Sequence, residues 1–191
     1  MGPRRTGRTR ATETHVALLR GINVGGHNRI PMARLVDIFE SGGYTRVRTY
    51  IQSGNVVFDA PSGARAQIPA NVSALIKAHL ALDVPTVART ASEFEQIVMA
   101  NPFLSTHNTD LSAPHVGFLA NRPSSGQIGA IDLHRSPPDE CVPHDRELYL
   151  HCPNGLARTK FTSAYLDRTL GTTTTIRNWR TTLAVLDLVR A

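Results

Sequence analysis

Long apolar runs are missing from this chain: no stretch of about 18 apolar residues occurs in it, which argues against a membrane-spanning helix. The basic N-terminus is not followed by the apolar segment a secretory signal needs, so a cytoplasmic location is expected. Cysteine is scarce. Cys141 and Cys152 cannot build the disulfide framework of a small secreted domain, and both suit a reduced interior. Lysine is nearly absent, with Lys77 and Lys160 the only two, and an arginine bias in an Ala-rich chain reflects genome composition more readily than selection for bidentate anion recognition. What is present is ordinary for a globular protein: 191 residues, 41% of them hydrophobic, suffice for one full core or two small ones sharing an interface.

The net charge of +6 is unevenly placed. Residues 1–14 carry Arg4, Arg5, Arg8 and Arg10 against Glu13 and show no apolar period, so they are expected to be a disordered basic arm. The rest is only mildly basic, which leaves a weak electrostatic footprint for nucleic acid.

Hydrophobic periodicity predicts the elements. The run from His15 to Arg20 reads as a buried strand, and Met32, Leu35, Val36 and Phe39 form one helical stripe between Pro31 and Gly42-Gly43. Residues 46–59 read as a hairpin turning at Gly54-Asn55, with Ile51 opposite Phe58. Its faces divide Val47, Thr49, Ile51, Val56 and Phe58 from Arg48, Tyr50, Gln52, Val57 and Asp59. Ile68, Val72, Leu75 and Ile76 mark a second helix, and residues 84–89 a strand. This order is a split βαβ arrangement, with the first and third strands central. Farther on, Ser92 and Glu95 have capping-box spacing before a helix ending at Asn101-Pro102. Strands are expected at 115–120 and 147–151, and 122–138 reads as loop with one short helix near Ile128. Phe161, Tyr165 and Leu166 indicate a helix ending at Gly171, Thr172–Ile176 a strand, and Asn178 the cap of a last helix carrying Trp179, Leu183 and Leu186 inward.

The blocks HVALLRGINVGGHNRIPMARL (15–35), TYIQSGNVVF (49–58), NPF (101–103), LYLHCPNGLARTKFT (148–162) and TTTTIRNWRTTLAVLDL (172–188) resemble the signature segments of the bacterial family of domain of unknown function 1697. The resemblance implies an α+β fold of two ferredoxin-like (split βαβ) subdomains with antiparallel sheets, related by a pseudo-twofold, and no established activity, cofactor or catalytic residue. With it the chain divides into the arm at 1–14, a first subdomain at 15–89 and a degenerate second at 90–191. His27, Ala157 and Arg180 depart from residues frequent in the family.

Candidate sites follow from local chemistry. The loop Arg20–Asn28, with Asn23, Gly25, Gly26 and Asn28, allows backbone N–H groups to converge on an anion beside the positive end of the helix opening at Pro31. A plain strand-to-helix turn explains the glycines equally well but explains Arg20 poorly. Lys160 and Arg177 each lie close to a helix start, and Gln52 and Asn55 stand at the hairpin tip. Together these predict a small anionic or phosphate-bearing ligand in a cleft between the subdomains. The second reading is RNA or single-stranded nucleic acid on an open sheet face with Arg48 and Tyr50, though no RNP-type pattern is present. The third is an enzyme of undefined chemistry using Gln52, Asn55, Asp59 and Lys160, for which no acid–base pair is identifiable. No cofactor is expected. No metal is expected either, because His151 and Cys152, the best partners for Cys141 and His144, are adjacent on a strand and point to opposite faces. Nothing in the sequence specifies an oligomeric state.

Overall fold

The computed structural model of the protein describes residues 11–26, 28–104 and 111–191. Its first half runs β1 (Thr12–Leu19), α1 (Met32–Ser41), β2 (Thr45–Tyr50), β3 (Asn55–Pro61), α2 (Ile68–Leu80) and β4 (Thr86–Thr90). The second runs α3 (Ala91–Met99), β5 (Pro114–Leu119), α4 (Ser125–Gly129), β6 (Glu140–His144), β7 (Glu147–His151), α5 (Ser163–Leu170), β8 (Thr174–Asn178) and α6 (Trp179–Arg190). The fold is mixed helix and strand with two four-stranded antiparallel sheets, ordered β2-β3-β1-β4 and β6-β7-β5-β8. Among the described residues no helix is long and apolar enough to cross a membrane.

Three hydrophobic clusters order the layers. The first packs α1 and α2 on one face of the first sheet through Leu35, Phe39, Val72 and Ile76 against Ala17, Val56 and Phe58. The second lies between the sheets: Val16, Leu18 and Val57 of one, Val116, Phe118 and Tyr149 of the other, with Phe94 and Ile97 of α3 and Trp179 and Leu186 of α6. Phe94 stacks on Phe118 at 5.7 Å, and the Tyr149 hydroxyl donates to the Ile97 carbonyl at 2.9 Å. The third cluster covers the far face of the second sheet and takes in Cys141, Cys152, Phe161 and Leu166.

Four local expectations need correction. β1 opens at Thr12, so residues 12–14 are strand because they pair with Asp59, Ala60 and Pro61, whereas 1–10 lie outside the described residues. The capping box before α3 is Thr90 with Glu93, not Ser92 with Glu95, because β4 runs directly into the helix. The strands expected in the second half omit β6 at Glu140–His144. Its Pro143 suits an edge strand, where a missing N–H costs no ladder bond. The hairpin turns over residues 51–54, with Tyr50 opposite Asn55 and Thr49 opposite Val56. Gly54 closes that turn at φ +74° and backs onto β1, where a Cβ would come within 2.8 Å of Leu19 Cβ. The register slips by an even number of residues, so Val47, Val56 and Phe58 still share the first cluster.

Candidate functional site

The first loop folds around two asparagines in left-handed conformations, Asn23 (φ 54°) and Asn28 (φ 48°). The Asn23 side chain accepts from the Ile30 N–H at 2.8 Å and donates to the carbonyls of Ile30 at 3.1 Å and Gln52 at 2.8 Å. Asn28 donates to the Gly21 carbonyl at 3.0 Å. Both amides therefore hold the loop's own shape, and Asn23 pins the loop to the hairpin tip. Between loop and tip lies an open recess of about 460 Å³, lined by Asn23, Gly26, Arg29, Ile30, Pro31 and Gln52.

Two side chains there are uncommitted. Arg29 and Gln52 are exposed, and neither side chain makes a hydrogen bond or ion pair among the described residues. Arg29 reaches over Gly26, where a Cβ would lie 3.8 Å from its Nη2. α1 begins at the same place. Pro31 precedes it without a side-chain cap, and its first turn holds no acid, so the positive end of the helix is unopposed. Arg29 escaped sequence reasoning because it stands one residue past the Gly/Asn loop and belongs to no motif.

Two of the expected cations, Arg20 and Arg177, are engaged within the protein. Arg20 forms an ion pair with Asp167 of α5, and both side chains are half-buried. Its charge is matched within the protein, which corrects its reading as a loop residue in need of a ligand. Arg177 donates to Asn55 Oδ1 at 2.6 Å, the Leu19 carbonyl at 2.7 Å, the Ser53 carbonyl at 3.1 Å, Thr175 Oγ1 at 2.8 Å and the Ile176 carbonyl at 3.0 Å. Burial without a carboxylate partner pulls its pKa down to about 10. Asn55 is buried beneath it and also donates to Ser53 Oγ at 2.8 Å. Lys160 is exposed, its backbone N–H on Ser136 Oγ at 2.9 Å, and it does not line the recess. The recess is thus formed by Asn23, Gly26 and Gln52 of the expected set, with Gly25 exposed in the same loop, and it belongs to the first half alone.

Arg177 has a counterpart. Arg89 of β4 is buried and donates to Glu147 Oε1 at 2.8 Å, to the carbonyls of Leu119 at 2.8 Å and Arg146 at 3.0 Å, and to the Ala88 carbonyl at 2.8 Å. Burial lowers the Arg89 pKa and raises that of Glu147, with each partner opposing the shift of the other. Each arginine leaves the last strand of one sheet and grips the first strand and hairpin of the other.

The rival surfaces fare differently. Tyr50 and Val57 join the cluster between the sheets, where α6 packs on β1, β2 and β3, so the sheet face expected to be open is covered. Asp59 is held by Arg46 Nε at 2.7 Å and Thr14 Oγ1 at 2.8 Å, away from the recess. Burial raises the Cys141 thiol to about 12 and that of Cys152 to about 11, so both stay protonated. Among the described residues no group of three or more His, Cys, Asp or Glu side chains converges as a metal site would require.

Comparison with known proteins extends the sequence resemblance. A solved structure, that of the conserved bacterial protein SP0830 from Streptococcus pneumoniae, matches with a TM-score of 0.75 at 21% identity, covering 94% of this chain and 99% of that one. Similarity at that identity speaks to the fold alone. No curated protein matches the chain. Residues 12–149 match the family described as "Protein of unknown function (DUF1697)", and the chain belongs to that family.

Proposed function

We propose that the recess between the first loop and the hairpin tip binds a small anionic, phosphate-bearing ligand. The observation that carries this reading is Arg29, an exposed guanidinium without a partner among the described residues, set over Gly26 at the uncapped start of α1. A phosphate there meets a fixed cation and the free N–H groups of a helix start together, and Gln52 supplies an amide to orient the rest of the ligand. The test is a thermal-shift screen of the purified protein with nucleotides and sugar phosphates, repeated with Arg29→Ala. One lost charge-assisted hydrogen bond weakens binding about ten- to a hundredfold, so the variant should lose the shift at ligand concentrations that saturate the wild type. Equal shifts in both proteins would remove Arg29 from the site. A hit confined to short RNA that fades steeply with salt would favour the nucleic-acid reading instead.

We infer further that each half is a ferredoxin-like split βαβ unit, 15–89 and 90–191, and that a pseudo-twofold relates them. The shared strand order and the reciprocal grips of Arg89 and Arg177 support this reading.

A further inference from the structure

The register of the two sheets matches residues of one half with residues of the other. Leu19 donates to the Gly54 carbonyl and Arg20 to that of Pro85, while Leu119 donates to the Arg146 carbonyl and Ala120 to that of Thr173. Ala120 therefore stands in the second sheet where Arg20 stands in the first. Likewise His15 pairs with Thr90, which caps α3, and His115 pairs with Asn178, which caps α6.

At these matched places the structure differs. Arg20 crosses to α5 and closes on Asp167. Ala120 reaches nothing comparable, and between it and the start of α2 lies a cleft of about 570 Å³ joining the two halves, lined among others by His15, Arg65, Arg89, Asn121 and Arg146. His115 satisfies its ring, with Nδ1 at 2.8 Å from the Ala113 carbonyl. His15 is as deeply buried, at 1% exposure, yet neither ring nitrogen has a hydrogen-bond partner among the described residues. Its nearest charged neighbour is the Glu13 carboxylate at 3.6 Å. A buried imidazole without a partner costs free energy that the matched histidine avoids.

The charged side chains that line the cleft are all arginines, Arg65, Arg89 and Arg146, while the carboxylates that act on His15, chiefly Glu13 and Glu93, stand behind the lining. Arg65 and Arg146 both donate to a single oxygen, Glu93 Oε1, whose sister Oε2 is taken by the Thr90 N–H. Arg89 is matched by Glu147. Two guanidinium groups thus share one carboxylate and keep N–H groups to offer. α2, a helix of 13 residues, opens onto the cleft through Pro69 and Ala70 with no side-chain cap and no acid in its first turn.

We propose that this cleft is a second binding site, distinct from the loop recess, for a phosphate or pyrophosphate group, held by Arg65 and Arg146 at its rim and hydrogen-bonded to His15 at its floor. Arg65 is 56% exposed and can swing from Glu93 to an anion, which suits a rim cation. Asn121 stands at the same mouth to receive the remainder of the ligand.

The experiment uses the full chain and inorganic pyrophosphate. Binding is measured by calorimetry, and the His15 ring is followed by long-range ¹H–¹⁵N correlation, a signal that the loop recess does not influence. Pyrophosphate should shift the His15 ring resonances. Arg65→Gln, on an exposed side chain that the core does not need, should weaken that response about ten- to a hundredfold. Ala120→Leu, which fills the cleft without changing charge, should do the same, whereas Arg29→Ala should leave the His15 response unchanged. A His15 signal indifferent to millimolar pyrophosphate in the wild type overturns the proposal. So does a response that survives both Arg65→Gln and Ala120→Leu, or one abolished by Arg29→Ala.

Discussion

His15 and His115 occupy matching places in β1 and β5, and burial lowers both imidazole pKa values below the ordinary 6.5. For His15 the Glu13 carboxylate opposes that shift, and for His115 the Ala113 carbonyl does. Between the depressed native values and about 6.5, the unfolded chain binds more protons than the folded one, so stability rises with pH in that window. Acidification from about pH 7.5 to about pH 5.5 should therefore lower the melting temperature, before most carboxylates titrate. His115→Gln should flatten the dependence, and His15→Gln should flatten it too; the check is Tm against pH for the three proteins. An unchanged slope in both variants would mean that neither imidazole is held neutral by the fold.

Among the elements, the hairpin tip carries the clearest backbone conflict. Ile51 sits at φ 45° with 53% of its surface exposed, a left-handed conformation that a β-branched side chain resists and that no burial compensates. Ile51→Gly relieves about 1–2 kcal/mol of conformational cost against about 0.5–1 kcal/mol of added chain entropy, and should leave the protein slightly more stable in urea titrations. A lower midpoint would show that the Ile51 side chain does packing that its exposure hides. The same hairpin shows where sequence reading reaches and where it stops. α1, α3 and α6 were legible because their apolar residues repeat at helical spacing, and the faces of the hairpin because strands alternate. The turn was misplaced because it spans the four residues 51–54 rather than two and puts Ile51 in a left-handed conformation that a β-branched residue does not signal in sequence. At the site, the loop of Asn23, Gly25 and Gly26 could be read from its composition. The fates of Arg20 and Arg177 could not, since their partners Asp167 and Asn55 lie 147 and 122 residues away along the chain.

For the whole molecule, the decisive feature is the cluster between the sheets, which neither half can form alone. Val16, Leu18, Val57 and Val87 are covered by α3, α6 and the second sheet, and a fragment of residues 11–90 would present this apolar face to water. The full chain should therefore unfold in one cooperative transition followed by circular dichroism, and the fragment should show no sigmoidal transition of its own. Two transitions in the full chain, or a cooperative fragment, would mean that the halves are independent domains joined by a weak contact. The two arginine grips add a property of another kind. Arg177 ends on carbonyl and amide oxygens and Arg89 on a buried carboxylate and carbonyls, all inside the protein. Mobile ions screen exposed charge pairs within about a Debye length but hardly reach buried ones. Concentrated salt therefore loosens rim contacts such as Arg65 with Glu93 and leaves the joint between the halves closed. Ionic strength can thus alter what the rim presents to a ligand without changing how the two sheets are held together.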